Sequence, residues 1–176
     1  KAENLVLPGV GAFKDGMEGL KKRGLIEPIK KHVELKKSLL GICLGTQLFF
    51  SSSEEFGNHQ GLGLIKGKVV KFIRQSSAAE EKYRVPHIGW NSISFSKKIQ
   101  AENEILDKVP SDSEMYFDHS YFPIPEDKKN VLAVTDYGGQ EFCSMVKMEN
   151  IYGCQFHPEK SQETGLKILE NFGDTA

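Results

Sequence analysis

Apolar residues in the first half of the chain form short runs that alternate with segments of helical spacing. This alternation of strand-like and helix-like segments is typical of a parallel α/β sheet. The predicted elements are a strand at 5–7, a helical region broken near Gly24, a helix carrying Ile26, Ile29 and Val33, a buried strand at 38–43, and a helix at 46–55 with Leu48 and Phe49 facing inward.

The second half of the chain is richer in strands. Residue pattern and composition predict strands at 68–73, 92–95, 115–121, 131–137, 141–148 and 151–156. Residues 136–140 (DYGGQ) predict a hairpin turn. A closing helix is predicted from the spacing of Leu166, Leu169 and Phe172, and a flexible loop from the polar segment 75–82. We therefore predict one α/β domain over residues 1–176, with an open, mixed, mostly parallel sheet flanked by helices and an antiparallel, strand-rich second half.

Composition and charge exclude several classes of function. The chain has 176 residues, a net charge of −1, and hydrophobic and charged fractions of 39% and 27%. These values are ordinary for a soluble globular protein, so we expect no nucleic-acid or membrane surface. The three cysteines, Cys43, Cys143 and Cys154, lack the short spacings of a disulfide framework or a zinc site. Their pattern favours a reducing, cytoplasmic setting.

Residues 41–45 (GICLG) have the form of a nucleophile elbow, G-x-S-x-G, with Cys43 in place of serine. An elbow turns a strand sharply into a helix, and flanking glycines remove side chains that would collide there. The helix N-terminus is expected to lower the pKa of the thiol. The pentapeptide alone is equally compatible with a buried structural cysteine at a tight strand–helix junction.

A cysteine nucleophile needs a base and a group that orients the base. His157 and Glu159, separated by Pro158, project to the same side of an extended backbone, so the carboxylate can hold the imidazole in the tautomer that accepts a thiol proton. Alone, this tripeptide is more typical of a surface turn, but its combination with the elbow is much rarer.

An oxyanion hole is also required, and it usually takes two N–H donors. We expect one from Leu44 and a second from residues 8–11 (PGVG), within which Val10 and Gly11 are the candidates. Alone, this segment is more typical of a plain turn.

The segments GICLGTQ, PGVGAF, PHIGWN, HSY and FHPEKS resemble those of the class I, triad-type glutamine amidotransferases. Within that class, PGVGAF, GWN and EKS make the chain most similar to the glutaminase subunits of imidazole glycerol phosphate synthase, from histidine biosynthesis. The resemblance covers essentially the whole chain and implies a three-layer, flavodoxin-like fold. Family members carry a further strand, turn, helix and strand before PGVG, so we expect that this chain lacks that N-terminal segment.

The resemblance also implies a mechanism and a set of partners. Cys43 would attack the side-chain amide of L-glutamine, His157 would transfer the protons and Glu159 would orient His157, with no metal or organic cofactor. The implied substrate-binding residues are Gln47 and Glu55, on the helix after the elbow, and His119, Ser120 and Tyr121. The implied contacts with a (β/α)8-barrel cyclase, which receives the ammonia, are Pro86, Gly89, Trp90, Asn91, Tyr116 and Lys160.

Two alternatives stay open at this point. A paralogue with the same triad would deliver ammonia to another acceptor, such as a sugar amidation enzyme. An inactive fragment, or a module that only binds a partner, would keep the fold without the reaction.

Overall fold

The computed structural model describes residues 2–73 and 84–175. Its strands are β1 (Leu5–Gly9), β2 (Leu39–Cys43), β3 (Phe50–Ser53), β4 (His59–Gln60), β5 (Ile65–Lys71), β6 (His87–Ile93), β7 (Ser113–His119), β8 (Tyr121–Pro125), β9 (Val131–Tyr137), β10 (Gln140–Met148) and β11 (Ile151–Cys154). Its α-helices are α1 (Phe13–Lys22), α2 (Ile26–Glu34), α3 (Leu44–Gln47), α4 (Lys97–Ala101) and α5 (Gln162–Gly173), and 3₁₀ turns lie at Glu104–Leu106, Lys128–Asn130 and Pro158–Lys160. The loop predicted at 75–82 lies outside the described residues.

The main sheet has five strands in the order β1-β2-β11-β10-β9. Strands β1 and β11 pair in parallel with β2, whereas β10 is antiparallel to β11 and to β9. The carboxyl ends of β1, β2 and β11 therefore meet at one edge of the sheet, which is where open α/β sheets place their ligands. At that edge lie the residues that follow Gly9, Cys43 and Cys154.

The remaining strands form a four-stranded sheet, in the order β4-β3-β5-β8, and a two-stranded sheet of β6 and β7. The predicted α/β class with a mixed sheet is confirmed, although the strands are divided among three sheets where one was expected. The β6–β7 pair is antiparallel and places His87 opposite His119. This register brings two histidines of distant sequence together beside the main sheet.

Strand β2 is fully buried because both of its faces are covered. Leu39 belongs to the apolar cluster that contains α1 and α2 residues, whereas Leu40 and Ile42 belong to the cluster that contains α5 residues. Alternate residues of a strand point to opposite faces, so this division follows from the chain pattern itself. A continuous apolar run is what such a central strand requires.

The helix predicted at 46–55 is wrong for most of its length. Helix α3 ends at Gln47, and Phe50–Ser53 instead form β3, which is parallel to β5 and antiparallel to β4. Pairing with two strands outweighs the local helical pattern there. The strand predicted at 115–121 is interrupted at Ser120, and the one predicted at 151–156 ends at Cys154.

Candidate active site

Cys43 occupies a sharp turn between β2 and α3. Its backbone has φ 52° and ψ −111°, a region that non-glycine residues rarely adopt and that costs on the order of 1–3 kcal/mol. The flanking glycines are required by space. A Cβ at Gly45 would lie 1.7 Å from the carbonyl oxygen of Leu7, and one at Gly41 would lie 2.6 Å from the backbone nitrogen of Thr46. The strained elbow predicted from the sequence is therefore present.

The thiol of Cys43 is buried, with 5% of the residue exposed. Burial raises the pKa of the thiol to about 12, and the negative charges of Asp118 and Glu159 act in the same direction. A hydrogen bond from the Leu44 backbone and the charge of Lys160 lower it. The sequence predicted a lowered pKa, and that expectation is wrong for the chain by itself. Helix α3 has only four residues, and its N-terminal end does not offset the loss of water around the sulfur.

His157 and Glu159 are in direct contact. Nδ1 of His157 and Oε1 of Glu159 are 2.7 Å apart. The geometry does not come from an extended strand, because β11 ends at Cys154 and Pro158–Lys160 form a 3₁₀ turn. Since a carboxylate only accepts hydrogen bonds, Nδ1 of a neutral imidazole carries the proton and Nε2 has a free lone pair. Nε2 is buried and makes no hydrogen bond with any of the described residues, so it is open to accept a proton.

The backbone on either side of the His157 ring is held by Tyr116 and Ser161. The His157 N–H donates to the carbonyl of Tyr116 at 2.8 Å. The buried Ser161 hydroxyl donates to the carbonyl of His157 at 2.6 Å and accepts from the N–H of Tyr116 at 2.9 Å. Ser161 was not predicted as a site residue. The sequence marked it only as the last residue of the FHPEKS segment. These contacts tie the ring's position to β7.

A cavity of about 140 Å³ opens onto Cys43. Its walls combine the predicted nucleophile with the predicted oxyanion and substrate-binding residues. The lining residues are Val10, Gly11, Cys43, Leu44, Gln47, Glu55, Asp118, His119, Ser120 and Tyr121. Asp118 alone was not anticipated among them. Segments from four separate parts of the chain thus converge at the carboxyl edge of the main sheet.

Gln47 and Glu55 reach this cavity by different routes. Gln47 lies at the end of α3, whereas Glu55 lies in the turn after β3 and not on the predicted helix. Nε2 of Gln47 donates to the carbonyl of Tyr121 at 2.9 Å and to Oε1 of Gln155 at 3.0 Å. Because an amide has two N–H donors, both are in use. Gln47 can therefore offer a ligand only its oxygen, which suits a cationic donor.

His119, in the cavity wall, and His87 form a buried pair. Nδ1 of His119 lies 2.8 Å from the carbonyl of Tyr121, and its Nε2 lies 3.1 Å from Nδ1 of His87. Burial lowers the pKa of His119 to about 3 and that of His87 to about 4. Both rings are therefore neutral near pH 7. His87 was not predicted as a site residue, although it lies within the PHIGWN segment.

The residues predicted to contact a partner lie on or next to β6, β7 and the 3₁₀ turn at Pro158–Lys160. Trp90 is 45% exposed and contacts the ring of Tyr116 edge-on, with 6.0 Å between centroids. The ammonium of Lys160 lies 5.6 Å from the centroid of Tyr116. Asn91 donates to the carbonyl of Asp136 at 2.8 Å. Pro86 is exposed and Gly89 is partly exposed, in the segment that enters and forms β6.

Cys143 and Cys154 are buried free thiols away from the cavity, and burial raises the pKa of both. Both residues belong to the apolar core. In residues 2–73 and 84–175 no helix is both long and apolar enough to cross a bilayer. Within those same ranges, no group of His, Cys, Asp and Glu side chains is arranged to hold a metal ion.

An elbow cysteine, an imidazole–carboxylate pair and a small polar cavity are the groups that nucleophilic acyl transfer requires. The sequence model described as Glutamine amidotransferase class-I matches residues 2–176, and the chain belongs to this family.

Individual relatives narrow this assignment. The chain is 51% identical to "Imidazole glycerol phosphate synthase subunit HisH" of Syntrophotalea carbinolica, over 99% of this chain and 82% of that protein. It is 52% identical to the Sulfurimonas denitrificans protein of the same name, over 97% and 78%, and 47% identical to that of Aquifex aeolicus, over 98% and 77%.

Solved structures share the fold at lower sequence identity. "Structure of PurLQS from Thermotoga maritima" has a TM-score of 0.69 at 19% identity, covering 98% of this chain and 79% of that chain. The glutaminase domain of CTPS from Trypanosoma brucei has a TM-score of 0.57 at 17% identity, covering 99% and 72%. These solved structures are similar to this chain in fold.

Proposed function

We propose that this chain is the glutaminase subunit of an imidazole glycerol phosphate synthase, and that it hydrolyses L-glutamine to glutamate and ammonia. The proposal rests on a strained Cys43 that lines the cavity, together with an imidazole whose Nδ1 is held by Glu159 and whose Nε2 makes no hydrogen bond with the described residues. The names of relatives at about 50% identity support the same activity.

The reaction proceeds by nucleophilic catalysis through a thioester. Nε2 of His157 takes the proton of the Cys43 thiol, and the sulfur attacks the side-chain amide carbon of glutamine. His157 then gives that proton to the leaving nitrogen, so ammonia departs and a γ-glutamyl thioester forms. A water molecule, deprotonated by His157, attacks the thioester carbon. Glutamate leaves and the thiol recovers its proton, while Glu159 keeps the ring in one tautomer throughout.

The cavity provides the remaining functions. Leu44 and the Val10–Gly11 segment donate N–H groups to the oxyanion that forms on the amide oxygen. Glu55 pairs with the α-ammonium of glutamine, and Gln47 contributes its oxygen beside it. His119, Ser120 and Tyr121 form the facing wall. Every binding group is a protein side chain or backbone group, and the proposed chemistry uses no metal or organic cofactor.

Ammonia released into water at neutral pH becomes ammonium, which is not nucleophilic. A glutaminase that serves synthesis therefore passes ammonia directly to an acceptor site. The acceptor we propose is a (β/α)8-barrel cyclase in the cytoplasm, as a separate chain or a fused domain, which makes imidazole glycerol phosphate and aminoimidazole carboxamide ribotide. The residues of this chain that contact the cyclase are Pro86, Gly89, Trp90, Asn91, Tyr116 and Lys160.

The activity is tested by measuring glutamate release with and without the cyclase and its nucleotide substrate. We expect slow hydrolysis by the chain alone, strong stimulation by the cyclase, and no hydrolysis by Cys43→Ala. A glutamine-analogue electrophile, 6-diazo-5-oxonorleucine, should label Cys43 selectively, and excess glutamine should block the labelling. Equal hydrolysis with and without the cyclase would refute the coupling and favour a paralogue with another ammonia acceptor.

A further inference from the structure

The side-chain amide of Gln155 lies between Gln47 and the sulfur of Cys43. Gln155 is completely buried, one residue after the end of β11 and two before His157. Its Nε2 donates to the sulfur at 3.7 Å, and its Oε1 accepts from Nε2 of Gln47 at 3.0 Å. Its own backbone N–H donates to the carbonyl of Ser144 at 2.9 Å, which ties the residue to β10.

The orientation of this amide is determined by its neighbours. The carbonyl of Tyr121 can only accept, so the NH₂ group of Gln47, and not its oxygen, must face it. The second hydrogen of that NH₂ group then requires an acceptor, which is Oε1 of Gln155. The NH₂ group of Gln155 is consequently directed at Cys43. His119 also helps to fix the Tyr121 carbonyl, because its ring forms a hydrogen bond to the same oxygen.

The sulfur has a second polar contact of the opposite kind. As a thiol, Cys43 donates to the carbonyl of Asp118 at 3.7 Å. Loss of the proton removes that contact and leaves a carbonyl oxygen facing an anion. The N–H groups of Gln155 and Leu44 remain available, and hydrogen bonds to an ionised sulfur are stronger than those to a neutral one. The buried thiolate therefore depends on these donors.

We propose that Gln155 is a positioning residue for the nucleophile: its amide, held in one orientation by Gln47 and the Tyr121 carbonyl, directs an N–H at the Cys43 sulfur and stabilises the thiolate. This inference rests on the proposed function, in which Cys43 is the nucleophile. It adds a residue that contacts neither the cavity nor the substrate, since Gln155 is absent from the cavity wall.

Other charged and titratable groups also surround the sulfur. They are Asp118 and His119 on β7, Tyr121 on β8, Glu55 after β3, and Glu159 and Lys160 after β11. A neutral replacement of Gln155 leaves all of them in place. The comparison between variants then isolates the amide donor.

The test is the rate at which iodoacetamide alkylates Cys43 in the full chain between pH 7 and pH 9, located by mass spectrometry. Gln155→Met keeps the length of the side chain and removes the donor. We expect it to slow alkylation at least tenfold at each pH and to lower kcat for glutamine at least tenfold with little change in KM. Gln100→Met is the control, because that amide bonds only the carbonyls of Leu106 and Val109 among the described residues.

A purely structural role makes the opposite prediction. Loosened packing would expose the thiol and accelerate alkylation, so an unchanged or faster rate in a folded Gln155→Met variant overturns the proposal. If that variant does not fold, Gln155→Leu, which also removes the donor and adds no charge, should show the same slower alkylation. The alkylation rate does not require glutamine. Failure of the proposed function would appear separately, as absence of glutamate release by the unmodified chain with its cyclase.

Discussion

The carboxylate of Glu55 accepts a hydrogen bond of 2.6 Å from the backbone N–H of Phe13, the first residue of α1. The same carboxylate lines the cavity at Cys43. Helix α1 has no side-chain cap from the residue that precedes it, so Glu55 supplies this capping bond from a distant turn. One side chain therefore contributes to helix stability and to the charge of the cavity.

These two contributions are separable by substitution. Glu55→Gln keeps an oxygen for the Phe13 N–H and removes the charge, so we expect KM for glutamine to rise about tenfold or more, with stability nearly unchanged. Glu55→Ala should also lose about 1 kcal/mol of unfolding free energy, measured by urea denaturation. Glu54→Gln is the matched control, because Glu54 is exposed and bonds Lys68 instead. An unaltered KM in Glu55→Gln would argue against the ammonium contact.

The His87–His119 pair makes stability depend on pH. Burial holds the folded-state pKa values at about 4 and about 3, below the ordinary value of 6.5. As the pH falls below about 6.5, the unfolded chain therefore binds more protons than the folded one. The stability due to the neutral pair is complete above that pH and is lost as the pH falls towards the folded values. We expect a loss of roughly 1–3 kcal/mol between pH 7 and pH 5.

Urea denaturation across this range checks the expectation. The variant His87→Phe keeps the ring stacked on Phe117, 4.7 Å away between centroids, and removes one titrating group. Its stability should fall less steeply with pH than that of the unmodified chain. His32→Gln, outside the pair, should keep the original slope. Identical slopes in all three proteins would show that the pair does not control the response.

The close approach of α3 to β1 limits residue 45 to glycine. In Gly45→Ala the new methyl group would lie 1.7 Å from the Leu7 carbonyl oxygen, so backbone must move. We expect a loss of about 3 kcal/mol or more in unfolding free energy, and a displaced elbow. Gly173→Ala, where no atom lies within 4 Å, should be nearly neutral. Similar denaturation midpoints for the two variants would mean that the elbow adapts easily.

Trp90 tests the proposed partner surface. Because the side chain is large, aromatic and 45% exposed, its removal should affect binding of the cyclase more than folding. We expect Trp90→Ala to weaken the complex at least tenfold, measured by calorimetric titration, with less than about 1 kcal/mol lost in stability. Ile124→Ala is the control, since Ile124 is 44% exposed on β8. Equal affinities for the two variants would place the interface elsewhere.

Local chemistry made several features predictable from the sequence. The β9–β10 hairpin follows from Gly138 and Gly139, which adopt φ 66° and 81°, and β9 has the predicted bounds. The elbow follows from two glycines around a cysteine. In each case the residues that impose the conformation are adjacent in the chain, so the signal lies within a few positions.

The features that escaped prediction depend on distant contacts. Gln47 and Gln155 are 108 positions apart, so their hydrogen bond leaves no local pattern. Pairing of β3 with β5 replaced a predicted helix. The raised pKa of Cys43 arises from desolvation by the folded core, whereas the sequence displayed only the helix N-terminus that would lower it.

The burial of Cys43 has a consequence for how the protein withstands oxidants. Peroxides attack thiolates and hardly react with thiols, and the first product, a sulfenic acid, leads on to irreversible forms. With its pKa raised to about 12, the resting sulfur stays protonated at neutral pH. Because burial disfavours the thiolate, we expect Cys43 of the resting chain to react slowly with hydrogen peroxide.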